Sequence, residues 1–152
     1  MSRIKLLLSI SILSGPLVAG CSNESSAPAT VQLNGTWHVG YTASESAFVC
    51  TYHDVLLVFD STAVSPGFMY GGTGTCVGRG RNDTLTQATS SIDSLTMGAG
   101  RIRFRIFANS WLFDGRIVSL DSLTGTLTED GSYTGIGSIH LVGPWGAKRA
   151  SP

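Results

Sequence analysis

The sequence predicts an all-β fold: a small antiparallel β-barrel of about eight strands, with a β-sandwich as the alternative. Three observations carry this expectation. Beyond residue 20 no segment has helical periodicity, and short alternating apolar–polar runs recur at roughly 8–12-residue spacing. The chain holds 19 glycines and only 13% charged residues, and is rich in Thr, Ser and Val, a composition that favours strands and tight turns. Gly35-Thr36-Trp37 near the start is echoed by Gly143-Pro144-Trp145 near the end, as if first and last strands met. Such closure removes the unpaired edges of a small sheet. Pro144 counts against it, because a residue without an N–H fits only at an edge or a bulge.

Taken in order, 35–41 alternates and sets Trp37, Val39 and Tyr41 on one face. The segment 54–61 contains Val55-Leu56-Leu57-Val58-Phe59, a run buried on at least one side. Ser65-Pro66-Gly67 reads as a turn, and Phe68-Met69-Tyr70 leads through Gly71-Gly72-Thr73-Gly74-Thr75 to Cys76. The stretch 77–87 reads as a mobile loop and 91–97 as a short strand. Arg101-Ile102-Arg103-Phe104-Arg105-Ile106-Phe107-Ala108 alternates without a slip. With Asn109-Ser110 as a two-residue turn, 111–118 returns, placing Ala108 opposite Trp111, Ile106 opposite Phe113 and Arg105 opposite Asp114. One face of that hairpin carries Ile102, Phe104, Ile106, Trp111, Phe113 and Ile117; the other carries Arg101, Arg103, Arg105, Asp114 and Arg116. Residues 123–128 form another strand, Glu129-Asp130-Gly131 a turn, and 133–145 the last strand.

The first 20 residues have the layout of a secretory signal. Arg3 and Lys5 precede the apolar run 6–13, Gly15-Pro16 breaks a helix, and Ala19-Gly20 are small. The apolar run is too short for a membrane span, which needs about 20 residues. Val18-Ala19-Gly20-Cys21 resembles the lipobox of bacterial lipoproteins. That resemblance implies cleavage before Cys21, a diacylglyceryl group on its thiol and further acylation of the new amino terminus. Two or more chains anchor a protein stably where one does not. Ser22, which is not Asp, implies transfer to the outer membrane by the enteric rule. The segment 21–32 then reads as the lipidated cysteine and a flexible polar tether, and 33–150 as the folded domain.

Loss of Arg3 and Lys5 takes the balance of 10 basic and 10 acidic residues to a net charge of −2. Nucleic acid, which wants a strongly basic face, is not an expected partner. With Cys21 lipidated, Cys50 and Cys76 are left as a natural disulfide pair in an oxidising compartment. The competing reading, a thiol metal site with His38, His53 or His140, lacks Cys-x-x-Cys or His-x-x-x-His spacing.

Gly35-Thr36-Trp37 with a late cation, Lys148 or Arg149, resembles the Gly-x-Trp and closing Arg of the calycins. In lipocalins of that group the Arg packs across the Trp at the closed end of an eight-stranded barrel. The chain also resembles small secreted lipoproteins of unknown function from environmental bacteria, through the lipobox, Leu-x-Gly-Thr-Trp, two cysteines, Trp111-Leu112-Phe113 and a closing Gly143-Pro144-Trp145-Gly146-Ala147-Lys148-Arg149. That likeness carries no activity with it.

Two residue sets are candidate binding surfaces. Trp37, Phe104, Trp111, Phe113 and Trp145 line a ligand cavity in one reading and fill a plugged core in the other. Arg101, Arg103, Arg105 and Arg116 meet anionic envelope components in one reading and form a solvated hairpin face in the other. Gly71-Gly72-Thr73-Gly74 is strand and turn glycine, since no helix follows as a phosphate loop requires. No nucleophile elbow, metal motif or carboxylate pair stands out, so no enzyme, metal or cofactor is expected. The expected function is a membrane-anchored barrel binding a small apolar or amphipathic ligand in the cell envelope. The alternative is a non-catalytic scaffold presenting its arginine face to an envelope component.

Overall fold

A computed structural model describes residues 32–61, 63, 65–133 and 137–151. The expected signal, Cys21 and all but the last residue of the tether lie outside these. Eight antiparallel strands follow in chain order and close on themselves: β1 (Gly35–Glu45), β2 (Phe48–Phe59), β3 (Gly67–Gly78), β4 (Arg81–Gly98), β5 (Arg101–Ile106), β6 (Trp111–Ser119), β7 (Ser122–Tyr133) and β8 (Gly137–Arg149). The expected barrel is therefore present, and its architecture is consistent with a calycin-like domain.

Closure runs through β1 and β8, with Trp37 opposite Arg149 and Tyr41 opposite Trp145. The ladder then skips Thr42 and Ala43 and resumes in the same register at Ser44 and Val142, with Gly143 lying close against the Thr42 and Ala43 backbone. Pro144 falls in that gap while still standing opposite Thr126 on its other side. Its missing N–H therefore breaks no ladder bond where β1 and β8 pair, and the barrel closes despite it.

Apolar side chains point inward. Phe104 stacks on Phe113 (centroids 4.6 Å apart), and both meet the Trp145 ring edge-on at 5.7 and 5.5 Å. Gly115 and Gly125, opposite one another, leave the room that Trp145 fills: a Cβ on either would stand 2.7 Å from its indole. The outer wall carries His38, Arg101, Arg103, Arg116 and Lys148. Large apolar side chains, Phe68, Val77, Val118 and Leu120 among them, are exposed as well.

One end is tied by Arg149. Its guanidinium lies 4.4 Å from the Trp37 ring centroid and donates to the carbonyls of Asn34 (2.8 Å), Leu120 (3.2 Å) and Gln32. The Trp37 indole N–H donates in turn to Leu33 O at 2.9 Å. Of the two cations in the resemblance, Arg149 takes the closing position and Lys148 sits one register step away on the outer wall. Gly35 is required there: its φ is +122°, and a Cβ would press on the Arg149 guanidinium at 3.3 Å.

Several expectations need correction. Residues 77–87 are no loop. Arg79 and Gly80, with φ of +50° and +77°, form a tight turn that matches strand twist, and β4 starts at Arg81. The 91–97 strand is the far part of the same 18-residue strand. Glu129-Asp130-Gly131 lies inside β7. The 101–118 hairpin turns over four residues, 107–110, so Ile106 faces Trp111, Phe104 faces Phe113 and Arg103 faces Asp114. The register thus slips by two from the expected pairing, which leaves both faces intact because side chains alternate with period two.

Cys50 and Cys76 stand opposite each other on β2 and β3 and are disulfide-bonded, buried inside the barrel. The bridge closes a loop with a sequence separation of 26. Replacing both cysteines by Ala is expected to lower unfolding free energy by about 3 kcal/mol, read from urea denaturation of oxidised protein. A variant matching the wild-type midpoint would show that the bridge does not constrain the unfolded chain.

Candidate functional site

Toward the end opposite Arg149 polar side chains enter the interior, among the buried apolar Ala43, Phe48, Ile139 and Leu141 and the Cys50–Cys76 bridge. Tyr41 on β1, Tyr52 on β2, Gln87 on β4, and Glu129 and Tyr133 on β7 converge inside the barrel. Tyr41 donates its hydroxyl to Gln87 Oε1 at 2.9 Å, and Tyr133 donates to Glu129 Oε1 at 2.9 Å. Tyr52 stacks on Tyr41 with centroids 4.8 Å apart. Gly74 makes this possible, since a Cβ there would stand 2.4 Å from the Tyr52 ring.

Local sequence explains the convergence. On β7 every second residue faces inward, in the phase Leu123, Gly125, Leu127, Glu129; Glu129 occupies an apolar slot and is 1% exposed. On β2 an extra residue beside Asp54, whose φ is +54°, shifts the phase so that Tyr52 and Val55 both point inward.

The electrostatics follow from burial. Desolvation raises the Glu129 carboxyl to about 7, although the Tyr133 hydrogen bond pulls the other way. Burial, then the neighbouring Glu129 charge, pushes Tyr52 up to about 12. Tyr41 and Tyr133 are raised further, burial again being the largest cause. Glu129 Oε2 is buried with no hydrogen-bond partner among the described residues. The Trp145 indole N–H is the other such atom, deeper in the aromatic core.

Above the polar cluster lies an aromatic rim. Trp111 stands opposite Glu129 across β6–β7, and Phe107 packs on Trp111 at 4.9 Å. Phe107, Ala108 and Asn109 all have positive φ, 54°, 51° and 69°. Left-handed backbone costs roughly 1–2 kcal/mol for each such residue. Outside groups hold the turn: Ser90 Oγ accepts from Phe107 N (3.1 Å), Asp93 Oδ2 from Asn109 N (2.9 Å), and Arg105 donates to Asn109 O (2.8 Å).

The structure separates the aromatic candidates. Trp37 lies under Arg149, Phe104, Phe113 and Trp145 pack on each other mid-barrel, and Trp111 alone of the five stands beside Glu129. The four arginines do share one outer face. Arg101 pairs with Asp114 at 3.0 Å and stands directly opposite Arg116. A groove of about 710 Å³ runs beside them over Thr124, Thr126 and Thr128. His38 and His53 share a different outer recess with Asp54 and Lys148, and His140 is not isolated but contacts exposed Asp130 at 2.6 Å. Among the described residues no three His, Cys, Asp or Glu side chains are grouped to hold a metal.

No protein-family model, no curated protein and no solved structure matches the chain.

Of the polar cluster, sequence reading placed only Tyr41 on an inner face. Glu129 was detectable, because it continues the two-residue phase of Leu123 and Leu127, but Glu-Asp-Gly composition imitates a turn. Its titration is a direct check. The folded carboxyl holds its proton to about pH 7, against about 4.3 in an unfolded chain. Between those values the native state binds more protons, so stability falls as pH rises, by a total on the order of 3 kcal/mol. Glu129→Gln is expected to flatten this slope, gaining most over wild type at pH 8 and least near pH 4. Urea denaturation across that range measures it, and parallel pH profiles would refute a buried, titrating Glu129.

Proposed function

We propose that the protein is a lipid-anchored envelope lipoprotein, held at the outer membrane through Cys21, whose barrel binds a small amphipathic ligand and catalyses no reaction. The observation that supports binding is the buried carboxylate oxygen of Glu129, unpartnered beneath the aromatic rim of Phe107 and Trp111. A plain structural core would be more stable with an apolar residue in that slot, because burying a polar group without a hydrogen bond costs on the order of 1–3 kcal/mol. Labelled palmitate is expected in the wild type and absent from Cys21→Ala. Native mass spectrometry of the full chain, purified from its host in detergent, is expected to find a retained small molecule. Equal labelling of both chains would sink the anchor, and repeated isolation of the bare mass would sink the ligand.

A second reading rests on the outer wall. Arg101 and Arg116 face each other across β5–β6 although like charges so placed repel, and Asp114 offsets only part of that charge. An anionic envelope component in the adjoining threonine-lined groove would relieve the repulsion. Arg103→Glu with Arg116→Glu is expected to weaken binding to lipopolysaccharide at least several-fold in a salt-sensitive manner; unchanged binding in a co-sedimentation assay would leave this face as a solvated wall.

A further inference from the structure

The ligand class can be narrowed from the chemistry around Glu129, on the reading that the barrel binds a ligand. We propose that the Glu129 end of the barrel recognises a protonated amine carrying an apolar body, the ammonium N–H bonding to Glu129 Oε2 and the apolar part lying against Trp111 and Phe107.

The geometry selects this class step by step. The groups facing the carboxylate are Tyr41 from β1, Tyr52 from β2, Gln87 from β4, Trp111 from β6 and Tyr133 from β7; none is a cation. Glu129 Oε1 is satisfied by Tyr133, whereas Oε2 has no donor among the described residues. In the ionised form, which prevails above about pH 7, the missing partner must donate a hydrogen bond. A neutral donor such as an alcohol would leave the buried charge uncompensated, and a buried charge is tolerated when it is both paired and hydrogen-bonded. A quaternary ammonium supplies charge without a donor. A protonated amine supplies both, and its hydrogen bond to carboxylate is of the stronger, charge-assisted kind. The surroundings favour the same species: aromatic faces attract cations, and the Trp111 indole is the strongest such face. An anion finds no cationic side chain in the cluster.

Access is compatible with the rim. Phe107 belongs to a turn whose three left-handed residues are held by Ser90, Asp93 and Arg105 rather than by their own backbone preference. Displacing that turn releases an unfavourable backbone conformation, which offsets part of the loss of the Phe107–Trp111 contact.

The test uses benzylamine and benzyl alcohol, near-isosteres that differ in charge, titrated into the full chain in detergent at pH 8 by calorimetry, with empty micelles as the blank. Benzylamine is expected to bind at least about tenfold more tightly than the alcohol, and the difference to vanish in Glu129→Gln. In the wild type, carbon-detected NMR of the Glu129 carboxyl should show its midpoint moving down from about 7 when benzylamine is present. The NMR arm needs no variant, so it decides the matter even where Glu129→Gln fails to fold; a midpoint that does not move overturns the proposal. Equal affinity for amine and alcohol overturns the amine class and leaves a binding barrel standing. An amine preference that survives in folded Glu129→Gln also overturns it, by placing the amine elsewhere. Failure of both compounds to bind overturns this inference, and the native mass measurement then decides separately whether the barrel carries any ligand.

Discussion

The pairing of the first strand with the last is the constraint on which everything else rests, and Arg149 is its fastening. A sheet of this size left open would present two unpaired edges, and its inner face would meet water along both. Here β8 lies along β1, and one guanidinium then ties together two regions distant from it in sequence: the start of β1, through the Trp37 ring and the carbonyls of Gln32 and Asn34, and the β6–β7 turn at Leu120. A planar, always-charged group with several fixed donors suits that task, while a flexible ammonium such as that of Lys148 would match fewer carbonyls at once. Gly35 is part of the same fastening, since the approach of Arg149 and the positive φ both exclude a side chain there.

Closure makes the two ends of the barrel unlike. Between the Arg149 fastening and mid-barrel the interior is aromatic and aliphatic, and Phe104, Phe113 and Trp145 pack with one another around the space left by Gly115 and Gly125. Toward the other end the inward positions turn to Tyr41, Tyr52, Gln87, Glu129 and Tyr133. Apolar packing alone thus fills one half of the interior, and polar side chains enter the other. The dry half and the Cys50–Cys76 bridge hold the wall rigid, and the polar half accepts a desolvated carboxylate that a purely structural core would not contain.

The faces of the strands were legible in the sequence, and the reasons for the misses are physical. Trp37, Val39 and Tyr41, and the Phe104–Phe113 side of the hairpin, are inward as period-two alternation requires. Alternation fixes parity but not register, so nothing in Arg101–Val118 distinguishes a two-residue turn at Asn109-Ser110 from a four-residue turn at 107–110. Non-glycine residues in left-handed backbone, Phe107 and Ala108 among them, leave no compositional trace. The strand β4 was hidden because its first half offers only Leu85 and Gln87 to the interior and reads elsewhere as Thr, Asn and Asp. Bulges did the rest. The extra residue at Asp54 brings both Tyr52 and Val55 inward, so a strict alternation drawn from Val55 sends Tyr52 to the wrong side.

The inner and outer surfaces also differ in sign, and that difference orders the two functional readings. On β6 and β7 alternate residues point to opposite sides of one wall: Arg116 and Asp114 outward among threonines, Trp111 and Glu129 inward. Among the described residues, an anion meets Arg101 and Arg116 on the outer wall, and a cation finds the unpartnered Glu129 Oε2 within. A ligand attracted to one surface is disfavoured at the other, by like charge outside and by the absence of any cation beside Glu129 within. The two readings are therefore not rivals for one molecule. The outer face suits extended anionic material that a shallow groove can track, and the inner site suits a compact cation small enough to pass the rim of Phe107 and Trp111. Of the two, the inner site is the more demanding of its occupant. The arginines lie exposed to solvent whether or not anything binds, whereas Glu129 Oε2 is buried and has no hydrogen-bond partner among the described residues.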